Sequence, residues 1–326
     1  MALKVKTIFI AWAKTSRRSE SLSKFLKANL YLIHYKFREK KYFLIKYVYL
    51  SLKTLMILIK QAPDVIFAQN PPLFCPLVCL IYAKIFKKKL IVDAHTSDWE
   101  TVFDRLWYWN HFIMNKADMV IVTNQYLINK LAYNDVNFFV LQDRIPDLPN
   151  YKKLKLKRNK FNIGVVNTFS DDEPIDQILI TAKNLPYVNF YVTGNTAHAK
   201  KHFLKDKPEN AFFTGFLPEN KYIGLLRAVD AVIVLTTRNY TVLSGAYEAV
   251  SFGKPIIISD WPVLRKYFNM GTVYTNNNWK SIKRAVELAI KNRRKLNREI
   301  KILRNEHLEE WEKKIEILKN QMRYSL

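Results

Sequence analysis

The stretch AVIVLTTRNYTVLSGAYEAVSFGKPIIISD, residues 231–260, decides the fold. It opens on a continuous apolar run of strand length, passes through a polar loop, and resumes as a helix that begins near Leu243 to Gly245. A second apolar run, Pro255–Ser259, follows. Strand, helix and strand within thirty residues is the unit of a parallel sheet, whose strands are buried on both faces and so read as unbroken hydrophobic runs. The start of such a helix presents unpaired N–H groups and the positive end of a dipole, so Ser244 and Gly245 form a candidate diphosphate cradle. Glu248, one turn further in among Ala246, Tyr247, Ala249 and Val250, is expected to be buried and to need partners. Adjacent ribose hydroxyls are partners of the right kind.

The same alternation extends both ways. Upstream, FNIGVV, VNFYVTG and AFFTG read as strands, each followed by a helix-like segment. Before residue 142, strands are expected at Val5–Ala11, Leu30–His34, Val65–Ala68, Leu90–Asp93, Met119–Val122 and Phe138–Leu141. Helices are expected near Ser19–Lys27, Tyr42–Lys60, Leu73–Phe86, Val102–Asn115 and Gln125–Tyr133. Between the two series, Gln142–Lys160 carries prolines and a basic run with no evident apolar face, the mark of a linker. From Trp279 to Arg323 there is neither glycine nor proline, and apolar residues recur at helical spacing, which predicts one or two long helices. The expected plan is α/β: two doubly wound, Rossmann-like parallel-sheet domains, residues 1–150 and 151–300, with a C-terminal helix over 301–326. Open sheets of this kind bind ligands beyond the carboxyl ends of their strands, which places the chemistry in a cleft between the domains.

Composition narrows the function classes. A chain of 326 residues is comfortable for two cores. Its two cysteines, Cys75 and Cys79, lie four apart in an apolar helical run, which excludes a disulfide framework and suits a reducing compartment such as a cytoplasm. The N-terminus has too short an apolar segment for a signal peptide and reads as a first strand. Lys46 and Lys53 interrupt the apolar stretch 42–59, making it an amphipathic helix. The net charge is +25, and residues 1–160 hold 28 Lys+Arg against 11 Asp+Glu, a net +17. Such a surface attracts nucleic acid, anionic lipid headgroups or a phosphorylated substrate. With 45 aromatics (7 Trp, 18 Tyr, 20 Phe) a nucleic-acid binder is one reading, but no nucleic-acid motif appears and most aromatics fall in core-like runs. No nucleic-acid partner is expected.

The 231–260 segment is similar to the donor-binding region of GT-B glycosyltransferases, the group that includes the family-4 enzymes. There a Glu-x7-Glu pattern precedes Gly-x-Pro-[VI]-[VI]; here Glu248 and Gly253-Lys254-Pro255-Ile256-Ile257 match its second half, and Tyr240 stands where the first Glu would be. SRRSESL (16–22), QNPPLFCPLV (69–78), IVDAHTSDWE (91–100) and NTFSDDEP (167–174) resemble segments of enzymes that build cell-surface polysaccharides and lipid-linked glycans. The resemblance implies a GT-B enzyme moving a hexosyl group from a nucleoside diphosphate sugar to a glycan or polyprenyl-pyrophosphate-linked acceptor. It implies no cofactor and no metal.

Site residues follow. Ser170, Gly194, Gly215, Arg238, Ser244, Gly245 and Glu248 are expected to bind the donor. Relatives carry an Arg and a Lys near the NTFSDDEP loop; none stands between Val165 and Gln177, and Arg238 is the expected substitute. Ser170 or Asp171 would cap the helix there, with Pro174 in its first turn. His95 and Asp93 are the catalytic candidates, His95 serving as a base toward the acceptor hydroxyl or as a stabiliser of developing charge. Ser16, Arg17, Arg18 and Asn70 are placed with the acceptor. With the basic helix 42–60, they predict a protein at the anionic cytoplasmic face of a membrane. A catalytically degenerate binding module of the same fold is the alternative.

Overall fold

The computed structural model describes residues 5–36, 40–94, 103–131, 135–157 and 159–324. Contacts cluster in two compact units: Met1–Arg144 with Trp311–Leu326, and Ile145–Glu310.

The first unit alternates β1 (Thr7–Ala11), α1 (Arg17–Leu26), β2 (Asn29–Leu32), α2 (Phe43–Gln61), β3 (Val65–Asn70), α3 (Phe74–Ile85), β4 (Lys89–Ala94), α4 (Phe103–Lys116), β5 (Met119–Val122), α5 (Gln125–Leu131) and β6 (Phe138–Val140). The sheet is parallel throughout, in the order β2-β1-β3-β4-β5-β6. β1 is buried along its whole length because helices cover both faces. The order reverses between β1 and β3, so the segments leaving those strands flank the crevice where such sheets take ligands. Cys75 and Cys79 are free and fully buried in α3, and burial pushes the Cys75 thiol well up in pKa.

The second unit contains β7 (Phe161–Val165), α6 (Ile175–Lys183), β8 (Val188–Thr193), α7 (Lys201–Lys205), β9 (Ala211–Gly215), α8 (Glu219–Ala228), β10 (Ala231–Val234), α9 (Ser244–Ser251), β11 (Ile256–Ser259), α10 (Pro262–Tyr267), β12 (Thr272–Thr275), α11 (Trp279–Lys291) and α12 (Arg293–Tyr324). Its parallel sheet runs β12-β11-β10-β7-β8-β9, the dinucleotide-fold order, with the reversal between β7 and β10. Strand β12 escapes a hydrophobicity reading because it is a short, half-exposed edge strand of sequence TVYT.

Two departures from the sequence expectation concern the joints. The segment 142–160 forms no helix or strand among its described residues, yet it is packed: Ile145 is buried, and Leu154 and Leu156 lie on the second unit's core. The Leu154 N–H donates to the Gly224 carbonyl at 3.0 Å, and a Cβ on Gly224 would lie 2.6 Å from the Lys152 carbonyl oxygen. A glycine inside α8 therefore admits the linker backbone. The C-terminal helix is also divided differently. Leu296, Ile300 and Leu303 of α12 belong to the second unit's cores, whereas Trp311, Ile315 and Leu318 join the first unit's core around Phe9, Leu22 and Leu26. Trp311 donates its indole N–H to the Gln142 carbonyl at 3.0 Å.

Helix α2 buries only Leu50, Thr54 and Leu58. Phe43, Leu44, Ile45, Val48, Leu52, Met56 and Ile59 face outward, Leu44 being 73% and Met56 69% exposed. α2 packs beside α3 and α3 beside α4. Those helices add exposed Ile81, Ile85, Tyr108 and Trp109. Among the described residues no helix is long and apolar enough to cross a membrane.

Candidate functional site

The carboxyl edge of the second sheet gathers the expected donor residues. The loop leaving β7 is self-braced: Asn167 accepts the Phe169 N–H at 2.8 Å on its side chain, and Phe169 takes a left-handed φ of 64°. A Cβ on Gly194, at the end of β8, would lie 2.4 Å from the Asn167 carbonyl oxygen, and its φ is +112°. Only glycine satisfies both conditions. The Glu173 carboxylate accepts the N–H groups of Thr168 (2.8 Å) and Ser170 (3.0 Å) and the Thr168 hydroxyl (3.1 Å). Burial raises its pKa, opposed by those hydrogen bonds. Ser170 is exposed, its hydroxyl 3.0 Å from that of Thr168. Neither Ser170 nor Asp171 caps the helix: α6 starts at Ile175, and Pro174 occupies the cap without a side-chain bond. Glu173 closes the loop on itself instead, which leaves the helix start farther along the chain.

The loop leaving β10 meets the β7 loop through Asp172. The Thr236 hydroxyl donates to the Asp172 carboxylate at 2.6 Å, and the Thr237 N–H to its carbonyl at 2.8 Å. Arg238 approaches the same carboxylate at 3.7 Å and is 38% exposed, so its guanidinium is only lightly engaged. The Thr236 carbonyl accepts the Trp261 indole N–H and the Asn277 amide, both at 2.9 Å, bracing the loop from the β11 and β12 side.

Helix α9 begins with no side-chain cap, since Leu243 occupies that position. Its first N–H groups are therefore open to an anion. Ser244 is exposed and Gly245 buried. A Cβ on Gly245 would lie 2.7 Å from Val166 Cγ1, so the missing side chain seats the helix on the end of β7. The sequence named Gly245 only as part of a diphosphate cradle; its packing against Val166 comes from the fold. One turn on, Glu248 is 6% exposed and its carboxylate accepts the hydroxyl of Tyr222 from α8. Sequence reasoning missed Tyr222, Asp172 and Thr236; Tyr222 in particular lies 26 residues away with no local signal. Gly215 has a φ of +69° with open space where a Cβ would stand, and Phe216 beside it is 82% exposed.

In the first unit Ser16 caps α1, its hydroxyl accepting the Ser19 N–H at 3.3 Å. Arg17 is exposed. Arg18 and Asp93 are brought together as partners: Arg18 Nε lies 2.9 Å from Asp93 Oδ1 and its terminal nitrogen 2.8 Å from the same oxygen. Arg18 also donates to Asp143 at 2.8 Å and to the Leu141 carbonyl at 3.1 Å. Burial would depress its pKa, but Asp93 and Asp143 outweigh that and hold it above the ordinary value. Both expected residues are thereby committed inside the protein, Asp93 being fully buried. Asn70, at the end of β3, donates to Asn110 at 2.9 Å, and its side-chain oxygen is buried without a hydrogen-bond partner. The peptide bonds on either side of Pro71 are cis. His95 lies outside the described residues. Among the described residues no three His, Cys, Asp or Glu side chains are grouped to hold a metal ion.

Comparison with known proteins agrees with this layout. Residues 149–306 match the family described as glycosyl transferases group 1. No curated protein matches the sequence. The structure is similar to sucrose-phosphate synthase from Thermosynechococcus elongatus, with TM-score 0.79, 11% identity, and 98% of this chain and 99% of that one covered. It is similar to Anabaena HepE, solved with UDP-glucose, with TM-score 0.71, 14% identity, and 99% and 100% covered. A glycosyltransferase from Rickettsia africae gives TM-score 0.71 at 10% identity, with 98% of each chain covered. The fold is GT-B.

Proposed function

From a chain of GT-B fold whose residues 149–306 match the group 1 glycosyl transferases, we propose an enzyme that transfers a sugar from a nucleoside diphosphate sugar to a glycan or lipid-linked acceptor. The observation that carries this reading is the uncapped start of α9 beside the β7–β10 reversal, with the buried Glu248 one turn further in. In this reading the N–H groups of Ser244 and Gly245 receive the diphosphate, and Arg238 neutralises it. Glu248, held by Tyr222, accepts the ribose hydroxyls. The bond from the sugar's anomeric carbon to the diphosphate breaks as the acceptor oxygen bonds to that carbon and gives up its proton. Fixed N–H groups aimed at the departing phosphate stabilise its growing charge, the work a metal would otherwise perform. His95 remains the candidate acid–base or stabilising group; Asp93 and Arg18 brace the carboxyl edge of the first sheet.

The acceptor is proposed to be presented at an anionic membrane surface. Support comes from the outward apolar side chains of α2, α3 and α4 together with exposed Lys53, Lys60, Lys84 and Lys87. Apolar side chains entering the headgroup region with lysines beside them is the pattern of interfacial helices.

The test is the melting temperature of the purified protein with UDP, GDP, ADP, CMP and their sugars, UDP-glucose first because HepE was solved with it. Ligand at about 100 times its Kd adds about 2.7 kcal/mol. A shift with one nucleoside diphosphate, lost in Glu248→Ala, supports the reading; no shift with any overturns it. Binding without turnover on a panel of acceptors selects the degenerate binding module, a reading favoured by the buried Tyr240 in place of the first Glu.

A further inference from the structure

A cavity of about 530 Å³ opens on the second unit at the far end of α9, where Ser251–Lys254 turns into β11. The donor loops leave the carboxyl ends of their strands; this cavity sits at the amino end of β11. Four separate segments supply five cations to its wall: Lys153 from the linker, Arg227 from the last turn of α8, Lys254, and Lys301 and Arg304 from α12. Among the described residues three neutral polar side chains complete it, and no carboxylate lines it.

These cations are not there to satisfy one another. Lys301 and Arg304 are neighbours on one helix face, a like-charge arrangement that destabilises. Among the described residues none of Lys153, Arg227, Lys301 and Arg304 has an ion-pair partner. Lys254 is half-buried and donates to the Val229 carbonyl at 2.7 Å. Burial first, then Lys153, Arg293 and Arg227, pull its pKa down to about 8, and Asp230 opposes them. Asp230 is itself occupied by Arg293 and the Asn162 N–H. A cation half out of water amid like charges is an unsatisfied electrostatic demand that a multiply charged anion meets.

We propose that this cavity binds a soluble ligand carrying a diphosphate or longer phosphate chain, at a site separate from the donor loops. The size lies within the range of small-molecule sites. Cations spread over four segments call for more than one phosphate group. Among the described residues Phe252 is the one aromatic or aliphatic side chain in the wall, which selects a soluble anion over a lipid-borne one.

The probe is inorganic pyrophosphate, and the readout is the rate of lysine acetylation at pH 8, residue by residue, by peptide mass spectrometry. Bound anion favours the charged ammonium, so Lys254 acetylation slows by about fivefold for the first unit its pKa is raised above 8 and by about tenfold for the next. The expected result is protection of Lys254 and Lys301 but not of Lys84, kept in Glu248→Ala and lost in Arg227→Gln/Arg304→Gln. Removing two like charges leaves the melting temperature equal or higher, so loss of protection cannot be put down to unfolding. Equal rates with and without pyrophosphate overturn the proposal, as does the same protection from sodium chloride at matched ionic strength. Protection that survives the double substitution, or disappears in Glu248→Ala, overturns it too, the latter by tracing the effect to the donor site.

Discussion

Arg18 and Asp93, seventy-five residues apart, form a buried ion pair in which the guanidinium meets both carboxylate oxygens, at 2.9 and 3.1 Å from Nε. The pair ties the start of α1 to β4, and Asp143 and the Leu141 carbonyl tie the same guanidinium to the chain beyond β6. Three segments leaving the first sheet's carboxyl edge are thus fixed by one side chain. Arg18→Met strands a buried carboxylate and is expected to cost about 3–5 kcal/mol, whereas Arg18→Met/Asp93→Leu costs less. Urea unfolding followed by a probe in the first unit checks this; a double variant no better than the single one refutes the pairing energetics.

The Tyr222–Glu248 contact predicts a separation of effects. Tyr222→Phe removes a hydroxyl donor from a buried carboxylate and should destabilise by about 1–3 kcal/mol. Nucleoside diphosphate affinity should weaken but persist, while Glu248→Ala should abolish it. Calorimetric titration of both variants distinguishes a positioning residue from one that touches ligand.

Glycines 194 and 215 should differ although both have positive φ. Gly215→Ala meets open space and carries backbone strain alone, about 1–3 kcal/mol. Gly194→Ala adds a collision with the Asn167 carbonyl and should cost more. Denaturant midpoints of the two variants give the order; equal losses would mean the loop yields freely.

Lys254 sets a pH dependence. Its folded pKa, about 8, lies below its ordinary value of 10.5, so between those values the unfolded chain binds more protons. Stability from this group therefore rises with pH across that window. Melting curves from pH 7.5 to 10 should show the rise in the native protein and a flatter profile in Lys254→Gln. Parallel profiles would show that the lysine is not depressed.

The outward face of α2 predicts binding to vesicles containing anionic lipid. Replacing Leu44, Met56 and Ile59 by Gln should weaken sedimentation with such vesicles by about tenfold or more, since each loses apolar surface to bury. Raising salt should weaken the native protein's binding only in part. Equal binding by the variant at low salt would show that charge alone attracts the chain.

The alternation of strands and helices was legible because burial imprints its period on each element. Met119–Val122 reads the same in sequence and structure, and Gly245 and Glu248 stand out as exceptions inside an apolar helix. The edge strand Thr272–Thr275 left no such imprint, being only partly buried. What a periodic pattern cannot carry is the identity of the partner. An apolar face at Trp311, Ile315 and Leu318 says that something covers it, not that the first unit's core does. The same holds for charges: Arg18 and Asp93 each read as ligand-facing groups until the fold shows that they face each other. Local pattern reports that a side chain leaves water; contacts between residues far apart in the chain decide where it goes, and those exist only once the sheets are assembled.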